Sequence, residues 1–243
     1  MKTASADIFL RLQQEVLLMQ GFKPARQHTG PDAGLGIINN AFPGKTFPLG
    51  VLHEFVSSGA PAAAATAGFV AGIVGHVMQE QLPVLWIRRN EQVFPPALQQ
   101  YGIAPHRVIF IDLQKEKDRL WATEEALHCG ALAAVVADIK NLDFMLSRRL
   151  QLAVEKSQVT AFILRADIAQ LNTTASVTRW QINPLPSSNI DELPGIGHPR
   201  WQVNLLKVRH GRPGSWQVEW VNGKCRPVYK RAALIPEQQK KTG

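Results

Sequence analysis

The spacing of apolar and polar residues predicts an α/β chain whose last third changes to antiparallel β-structure. Short apolar runs rich in β-branched residues alternate with stretches of helical periodicity through most of the chain. The predicted strands are residues 51–56, 84–88, 107–113, 132–138 and 159–164, and the predicted helices are residues 61–79, 94–101, 116–128 and 142–157. Such alternation is typical of a mostly parallel sheet that helices flank on both faces.

The C-terminal third alternates apolar and polar residues one by one. The stretches with this pattern are residues 180–182, 201–209 and 215–221. They predict antiparallel strands with one face exposed to water, and residues 210–214 predict a hairpin loop between the last two. Trp216 and Trp220 share one strand face, which we expect to lie in the core.

An amphipathic helix is predicted near the N-terminus, over residues 4–20. Its apolar stripe consists of Ile8, Leu12, Val16 and Met19. We expect this helix either to dock on a partner or to pack on the chain's own sheet. The predicted organisation is an N-terminal helix and linker (residues 1–29), a core domain (residues 30–222) and a basic C-terminal tail (residues 223–243).

The composition is typical of a folded protein in a reducing compartment. Of the 243 residues, 45% are apolar and 19% charged, which excludes intrinsic disorder. Cys129 and Cys225 match no zinc or redox spacing, and the first residues contain no apolar signal core. Residues 60–75 carry no charge, but their alanines and glycines predict a closely packed helix rather than a membrane span. We therefore expect a cytoplasmic protein without a membrane segment.

The net positive charge is confined to the last fifth of the chain. Residues 1–196 hold 17 basic and 17 acidic residues, whereas residues 197–243 hold 10 basic and two acidic ones, so the charge of +8 lies there. Such an end attracts a polyanion or an acidic partner, and the alternative is a solubilising tail. The residues predicted to make such contacts are Arg212, Lys224, Arg226, Lys230, Arg231, Lys240 and Lys241.

The turn after the first predicted strand stands where a nucleotide-binding α/β protein carries its phosphate loop. Such a loop needs backbone N–H groups, a lysine for the β- and γ-phosphates and a hydroxyl for Mg²⁺. The sequence here is Ser57-Ser58-Gly59-Ala60-Pro61, in which alanine and proline replace the lysine and the hydroxyl residue. We therefore predict a degenerate phosphate loop and no cofactor.

The other candidate motifs are also incomplete. Gly44-Lys45-Thr46 has the letters of a phosphate loop, but Phe47-Pro48 follows it instead of a helix. Glu91 and Asp138 follow predicted strands, at positions suited to a water-activating and a magnesium-organising carboxylate. Without a lysine and a hydroxyl opposite, we interpret both as vestigial and expect Asp138 to cap the helix near Leu142. The histidines form no catalytic or metal-ligand spacing, so we predict no enzyme activity and no metal site.

Several of these segments resemble the RecA-type core. Phe47-Pro48-Leu49-Gly50 before the first strand is similar to the start of that core, and Ser57-Ser58-Gly59 matches the end of its phosphate loop. Glu91 and Asp138 fall where the RecA family carries its catalytic carboxylate and its Walker B aspartate. Where RecA has a DNA-contacting loop, this chain has only the short connection 165–178, so we do not expect ATP-driven filament formation.

The end of the chain resembles a narrower family. Residues 194–201 (PGIGHPRW) and 205–216 (LLKVRHGRPGSW) are similar to the ImuA family, RecA-like accessory proteins of bacterial mutagenic translesion synthesis. The resemblance extends over roughly residues 30–221, and RPGSW is its most specific stretch. It implies a non-catalytic adaptor of the DNA-damage (SOS) response. Such an adaptor links RecA at damaged DNA to an ImuB-type Y-family-like protein and the error-prone polymerase III alpha subunit, with at most weak electrostatic contact to DNA.

Two alternatives stay open at this level. The related SulA cell-division inhibitors share the degenerate core, which implies FtsZ as a different partner. The other alternative is a weak ATP-binding protein with a non-standard loop, in which Lys45 or Arg88 supplies the cation.

Overall fold

The computed structural model describes residues 33–78, 82–90, 93–167, 170–187 and 197–228. In chain order, the strands and α-helices of these residues are β1 (Leu52–Ser57), α1 (Gly59–Val77), β2 (Val84–Arg88), β3 (Val108–Asp112), α2 (Glu116–His128), β4 (Ala134–Asp138), α3 (Phe144–Ser157), β5 (Thr160–Ala166), β6 (Thr178–Leu185), β7 (Arg200–Val208), β8 (Gly214–Val221) and β9 (Lys224–Pro227). Short 3₁₀ helices span Gly36–Ala41, Pro43–Lys45, Pro95–Tyr101 and Pro105–Arg107. The predicted N-terminal helix lies outside the described residues.

The strands form one sheet in the order β3-β2-β4-β5-β1-β6-β7-β8-β9. From β3 to β6 along this order the neighbours are parallel, and from β6 to β9 they are antiparallel. This confirms the predicted α/β class, a mostly parallel sheet with antiparallel strands toward the C-terminus. Because β1 pairs with both β5 and β6, the turn that follows it opens at the middle of the sheet's carboxyl edge.

Two apolar cores lie on opposite faces of the sheet. On one face α1 packs through Phe69, whose ring lies 5.8 Å from Trp180 and 5.6 Å from Trp201, measured between centroids. On the other face α2 and α3 bury Leu127 and Leu150 against the inner strands. Strands β2 and β4 are covered on both faces, which explains why their sequences are almost continuously apolar. Strand β1 is equally buried but contains His53 and Glu54, whose polar groups have buried partners.

Helix α1 is the closely packed helix that its composition predicts. A Cβ added at Gly72 would overlap the ring of Trp220, and one added at Gly75 would overlap the backbone carbonyl of Tyr101. The helix is long and apolar enough to cross a membrane, but half of that stretch is buried inside the domain. Small side chains therefore serve close packing on the sheet.

Two predicted boundaries differ from the structure. The predicted helix over residues 94–101 is a 3₁₀ helix over Pro95–Tyr101 rather than an α-helix, and it ends at Gly102, whose φ of +76° is in the left-handed region. The predicted boundary between core and tail at residue 222 is wrong. Residues 224–227 form β9, in which Cys225 pairs with Trp220 and is buried, so the core extends through this strand.

His53 is buried in the centre of the first core. Its ring stacks on Phe47 and Phe162, at centroid distances of 4.4 and 5.4 Å. Nε2 lies 2.9 Å from the Pro48 carbonyl oxygen, which requires the proton on Nε2, and Nδ1 lies 2.7 Å from the Thr178 hydroxyl. Burial lowers the pKa of His53 from 6.5 to about 3, so the ring is neutral in the folded protein.

We expect His53 to make the protein less stable in mild acid. Between pH 6.5 and 3 the unfolded chain binds a proton that the folded ring does not, so the free energy of unfolding falls by about 1.4 kcal/mol per pH unit. Urea unfolding of the wild type and of His53→Gln at pH 7.5 and pH 5 measures this difference. His53→Gln should remove about 2 kcal/mol of the pH dependence, whereas His106→Gln, at an exposed position, should leave it unchanged. Equal pH dependence in both variants would contradict this assignment.

Candidate functional site

The turn between β1 and α1 holds the predicted phosphate-loop positions. Ser57 ends β1, Ser58 precedes the helix, and Gly59, Ala60 and Pro61 form its first turn. Gly59 has a φ of +75°, in the left-handed region that favours glycine. The backbone therefore makes the sharp strand-to-helix turn of a phosphate loop, and the N-terminus of α1 points to the carboxyl edge of the sheet.

A carboxylate of the chain itself occupies this helix N-terminus. The Gly59 N–H donates to Asp167 Oδ1 at 2.7 Å, and the Asp167 N–H donates to the Ser57 carbonyl at 2.9 Å. Asp167 directly follows β5, the parallel neighbour of β1, so the two strands bring the groups together. The positive end of the helix dipole stabilises this carboxylate as it would stabilise a phosphate. A phosphate at the same place would meet the negative charge of Asp167.

The side chains that follow Gly59 lack the groups that a phosphate loop needs there. Ala60 and Pro61 offer neither an ammonium group nor a hydroxyl. Thr66, further along α1, is buried and donates its hydroxyl to the Ala62 carbonyl at 2.8 Å. The turn therefore keeps the backbone shape of a phosphate loop and the hydroxyls of Ser57 and Ser58, without the lysine and the Mg²⁺-binding hydroxyl residue.

A cavity of about 520 Å³ lies beside this turn, at the carboxyl edge of the parallel strands. This is the edge at which open α/β sheets bind their ligands. Its charged lining residues are Arg88, Arg89, Glu116, Arg119, Asp138, Lys140 and Asp167. Alanines of α1 form much of the remaining wall.

Two arginines of the cavity are engaged by the protein itself. Arg88 Nε donates to Asp112 Oδ1 at 2.6 Å, its Nη1 donates to the Val93 carbonyl, and its guanidinium lies 4.3 Å from the centroid of the Phe110 ring. Arg119 donates to three backbone carbonyls, at distances between 2.7 and 2.8 Å. Neither guanidinium is positioned to replace the missing lysine.

Asp138 lines the cavity but does not cap a helix. It accepts a hydrogen bond from the Arg89 N–H at 3.3 Å, and burial raises the pKa of its carboxyl. The cap of α3 is Asp143, whose Oδ1 accepts from the Leu146 N–H at 2.7 Å. The predicted capping role of Asp138 is therefore wrong, because α3 begins two residues later than Leu142.

The remaining candidates lie elsewhere. Glu91 lies outside the described residues, so its vestigial role stays a prediction. Lys45 is exposed on the 3₁₀ helix Pro43–Lys45 and does not line the cavity. In the part of the chain that the structure describes, no group of His, Cys, Asp and Glu side chains could hold a metal ion.

A buried carboxylate, Glu54, organises the neighbouring part of the sheet. Glu54 Oε1 accepts from Arg165 Nη1 at 2.5 Å, and Oε2 accepts from Arg179 Nε at 3.0 Å. The hydroxyls of Thr174 and Ser176 donate to the same Oε2. Burial opposes the charged form, but these hydrogen bonds outweigh it and lower the pKa of Glu54. Glu54 is therefore an ionised carboxylate between two arginines.

The Glu54 cluster fixes the connection between β5 and β6. The hydroxyls of Thr174 and Ser176, which belong to this connection, donate to Glu54 Oε2. Between them, the Ala175 N–H donates to Ser147 Oγ of α3 at 2.9 Å. Asn172 adds a bond to the Leu142 carbonyl at 2.8 Å. Where the RecA resemblance implies a DNA-contacting loop, residues 172–176 are thus tied to the sheet and to α3.

Three of the predicted basic contact residues lie in the described part of the chain, and Arg212 lies apart from the other two. Arg212 lies in the loop between β7 and β8, whereas Lys224 lies beyond the other end of β8, which spans eight residues. Arg226 belongs to β9 and neighbours Glu219 of β8. The predicted contacts Lys230, Arg231, Lys240 and Lys241 lie outside the described residues. Trp216 and Trp220 do pack on the α1 core, as their alternation predicts.

The chain has close relatives among curated proteins. It is 34% identical over 194 residues to "Protein ImuA" of Caulobacter vibrioides strain NA1000 / CB15N, an alignment that spans 75% of this chain and 80% of the relative. The protein of the same name from strain ATCC 19089 / CIP 103742 / CB 15 gives the same values. The chain belongs to the ImuA family. No protein-family model matches this ImuA-family chain.

A solved structure of a recombinase shares the fold of this ImuA-family chain. The RadB recombinase superposes with a TM-score of 0.56 at 13% identity, over 82% of this chain and 99% of RadB. The predicted RecA-like fold is therefore confirmed. SulA from Pseudomonas aeruginosa superposes on 46% of the chain, with a TM-score of 0.39 and 19% identity.

Sequence analysis missed Asp167 and the Glu54 cluster. An available signal for Asp167 was its position directly after a buried strand, since parallel neighbours end at the same edge. For Glu54 and Arg165 the signal was a charged residue inside an otherwise apolar strand, which requires a partner of opposite charge.

We expect Glu54→Gln to destabilise the fold strongly. Removing the carboxylate leaves the Arg165 and Arg179 guanidinium groups without their buried counter-charge, which costs about 3 to 5 kcal/mol of unfolding free energy. The matched control is Glu124→Gln, which breaks the exposed ion pair with Arg149 and should cost less than about 1 kcal/mol. Urea unfolding at pH 7.5 measures both, and similar losses for the two variants would contradict the proposed role of Glu54.

Proposed function

We propose that this ImuA-family protein is a non-catalytic RecA-like adaptor in damage-induced, error-prone translesion synthesis. Its expected partners are RecA at damaged DNA, an ImuB-type Y-family-like protein and the error-prone polymerase III alpha subunit. The observation that carries the proposal is the Asp167 carboxylate on the Gly59 N–H, in a turn where Ala60 and Pro61 replace the lysine and the Mg²⁺-binding hydroxyl residue. A RecA-like domain with this turn retains a surface for partners and loses the nucleotide chemistry.

Phosphoryl transfer depends on positioned cations that neutralise developing charge. Arg88 is held by Asp112 and Arg119 by backbone carbonyls, so the cavity offers no buried guanidinium for a γ-phosphate. Asp167 adds a negative charge at the position of the phosphate. These contacts support a protein without ATP turnover.

The fixed β5–β6 connection supports the same proposal. Residues 172–176 form hydrogen bonds to Glu54, Arg179 and α3. This part of the chain is therefore held against the domain and is not a free loop that could contact DNA as the RecA loop does. Family membership favours the translesion role over inhibition of cell division, because the alignment to the ImuA proteins extends over 75% of the chain.

We expect no ATP hydrolysis above background, with or without single-stranded DNA. The variant Asp167→Ala should remain inactive as well, because it frees the Gly59 N–H without restoring a lysine or a hydroxyl. Release of phosphate from ATP measures both proteins against RecA as a positive control. Turnover comparable to that of RecA that is lost on Glu91→Gln would contradict the proposal.

Capture by the purified, tagged full-length chain tests the partners directly. We expect retention of ImuB-type protein and RecA without added nucleotide, and the same retention when ATP is present. FtsZ, as a third protein in the same assay, tests the alternative function. Retention of FtsZ without RecA or ImuB-type protein would overturn the adaptor proposal.

A further inference from the structure

The antiparallel half of the sheet has one face that no described element covers. Helix α1 and its apolar core occupy one side of β6 to β9, where Ile182, Val203 and Val218 are buried. On the other side, α2 and α3 cover only the inner strands of the sheet. The polar residues of β6 to β9 on this second side form what we term the open face.

The centre of the open face is a band of amide and hydroxyl side chains. Paired positions on neighbouring strands share a face, and the pairs here are Gln181 with Asn204, Asn183 with Gln202, Gln202 with Gln217 and Asn204 with Ser215. Gln202 Nε2 donates to Ser215 Oγ at 2.7 Å, and Ser215 Oγ donates to Asn204 Oδ1 at 2.7 Å. These bonds hold the band in one arrangement, with Gln217 and Ser215 exposed to solvent.

Cationic side chains flank this band at both ends. At one end Arg179 pairs with Lys207 across β6 and β7, and Arg209 reaches the Ala175 carbonyl on the same side. At the other end Arg200 and Arg226 flank Glu219 on neighbouring strands, and Arg200 Nε lies 2.7 Å from Glu219 Oε1.

The open face therefore carries a positive charge. Its five cations are opposed by Glu219 and by the buried Glu54 behind Arg179. Four of them also bond within the protein, and Lys207 Nζ donates to the Thr174 carbonyl at 2.7 Å, but each keeps its charge at the surface. From Lys207 to Arg200, β7 spans roughly 23 Å, at about 3.3 Å per residue. A surface of this length and charge attracts an extended polyanion.

We propose that the open face binds single-stranded nucleic acid. Arginine, lysine and amide side chains are the groups that donate hydrogen bonds to phosphate and sugar oxygens, and amides also reach base edges. A stable protein interface depends on several aromatic or aliphatic anchors, and among the described residues of β6 to β9 Leu206 is the one large apolar side chain that is exposed. A second copy of the same positive face would be repelled. The inference goes beyond the proposed function, since an adaptor that reaches DNA through RecA needs no nucleic-acid surface of its own.

The test uses fluorescence anisotropy of a labelled 20-nucleotide DNA strand with the full-length chain at low salt. Gln217→Glu places a negative charge at the centre of the band and should weaken binding at least fivefold, whereas Gln217→Lys should strengthen it. The matched control is Gln100→Glu, the same change at an exposed position of the 3₁₀ helix Pro95–Tyr101, and it should leave affinity within twofold.

Salt dependence provides a second readout. The variant Arg226→Gln should reduce the slope of log affinity against log salt by about 0.7, the value for one lost phosphate contact on a single strand. The basic residues after residue 228 could also attract DNA, so the comparison is repeated with a chain that ends at residue 228 and keeps every described strand. In this shorter chain, Gln217→Glu should still weaken DNA binding.

Three outcomes would overturn the inference. The first is absence of binding to the strand at 50 mM salt, or equal affinities for wild type, Gln217→Glu and Gln217→Lys. The second is displacement of the DNA by polyglutamate at equal charge concentration, which would indicate a surface for acidic proteins. The third is loss of RecA or ImuB-type protein capture by Gln217→Glu in nuclease-treated samples, which would make the open face a protein interface. Intact capture with weakened DNA binding supports the inference and leaves the adaptor proposal to its own test.

Discussion

At the middle of the sheet, the Asp167 carboxylate accepts a hydrogen bond from the first backbone N–H of α1, at 2.7 Å. A helix N-terminus at the carboxyl edge of a parallel sheet is a general anion site, and here the anion belongs to the protein. The contact joins the ends of β1 and β5 and so also stabilises the edge of the sheet. A phosphate at this place would meet the negative charge of Asp167, and in the cavity beside it Arg88 and Arg119 are bonded within the protein.

The described fold is stabilised by buried apolar cores and by a buried cluster of charged side chains. Its sheet is covered by apolar cores on both faces of the parallel half, and Glu54 forms ion pairs with two arginines at the junction with the antiparallel half. This junction packs residues 172–176 against α3 and leaves the strands beyond it open on one side. The polar face of β6 to β9 therefore lies apart from the turn between β1 and α1 and from the cavity beside it.

Much of this fold could be predicted from the sequence, because covered parallel strands are continuously apolar and half-exposed antiparallel strands alternate. The degenerate turn at Ala60 and Pro61 could also be predicted, since the chemistry of a phosphate loop needs particular residues at fixed spacing. Long-range pairs were not predictable in this way. Asp167 lies 108 residues from Gly59, and Arg179 lies 125 residues from Glu54, so only the strand order brings them together. The predicted boundary between core and tail at residue 222 lies before β9, because an edge strand of four residues is too short to show a clear alternation of apolar and polar residues.

The central claim is that this RecA-like protein acts without nucleotide chemistry. Damage-induced mutation frequency tests it most directly, in cells whose own copy is replaced by the double variant Glu91→Gln/Asp138→Asn. Asparagine at position 138 can still accept the hydrogen bond from the Arg89 N–H, so the fold should be preserved. The account predicts wild-type mutation frequency at wild-type protein abundance. Loss of induced mutagenesis at normal abundance would show that the vestigial carboxylates still perform catalysis, and would contradict it.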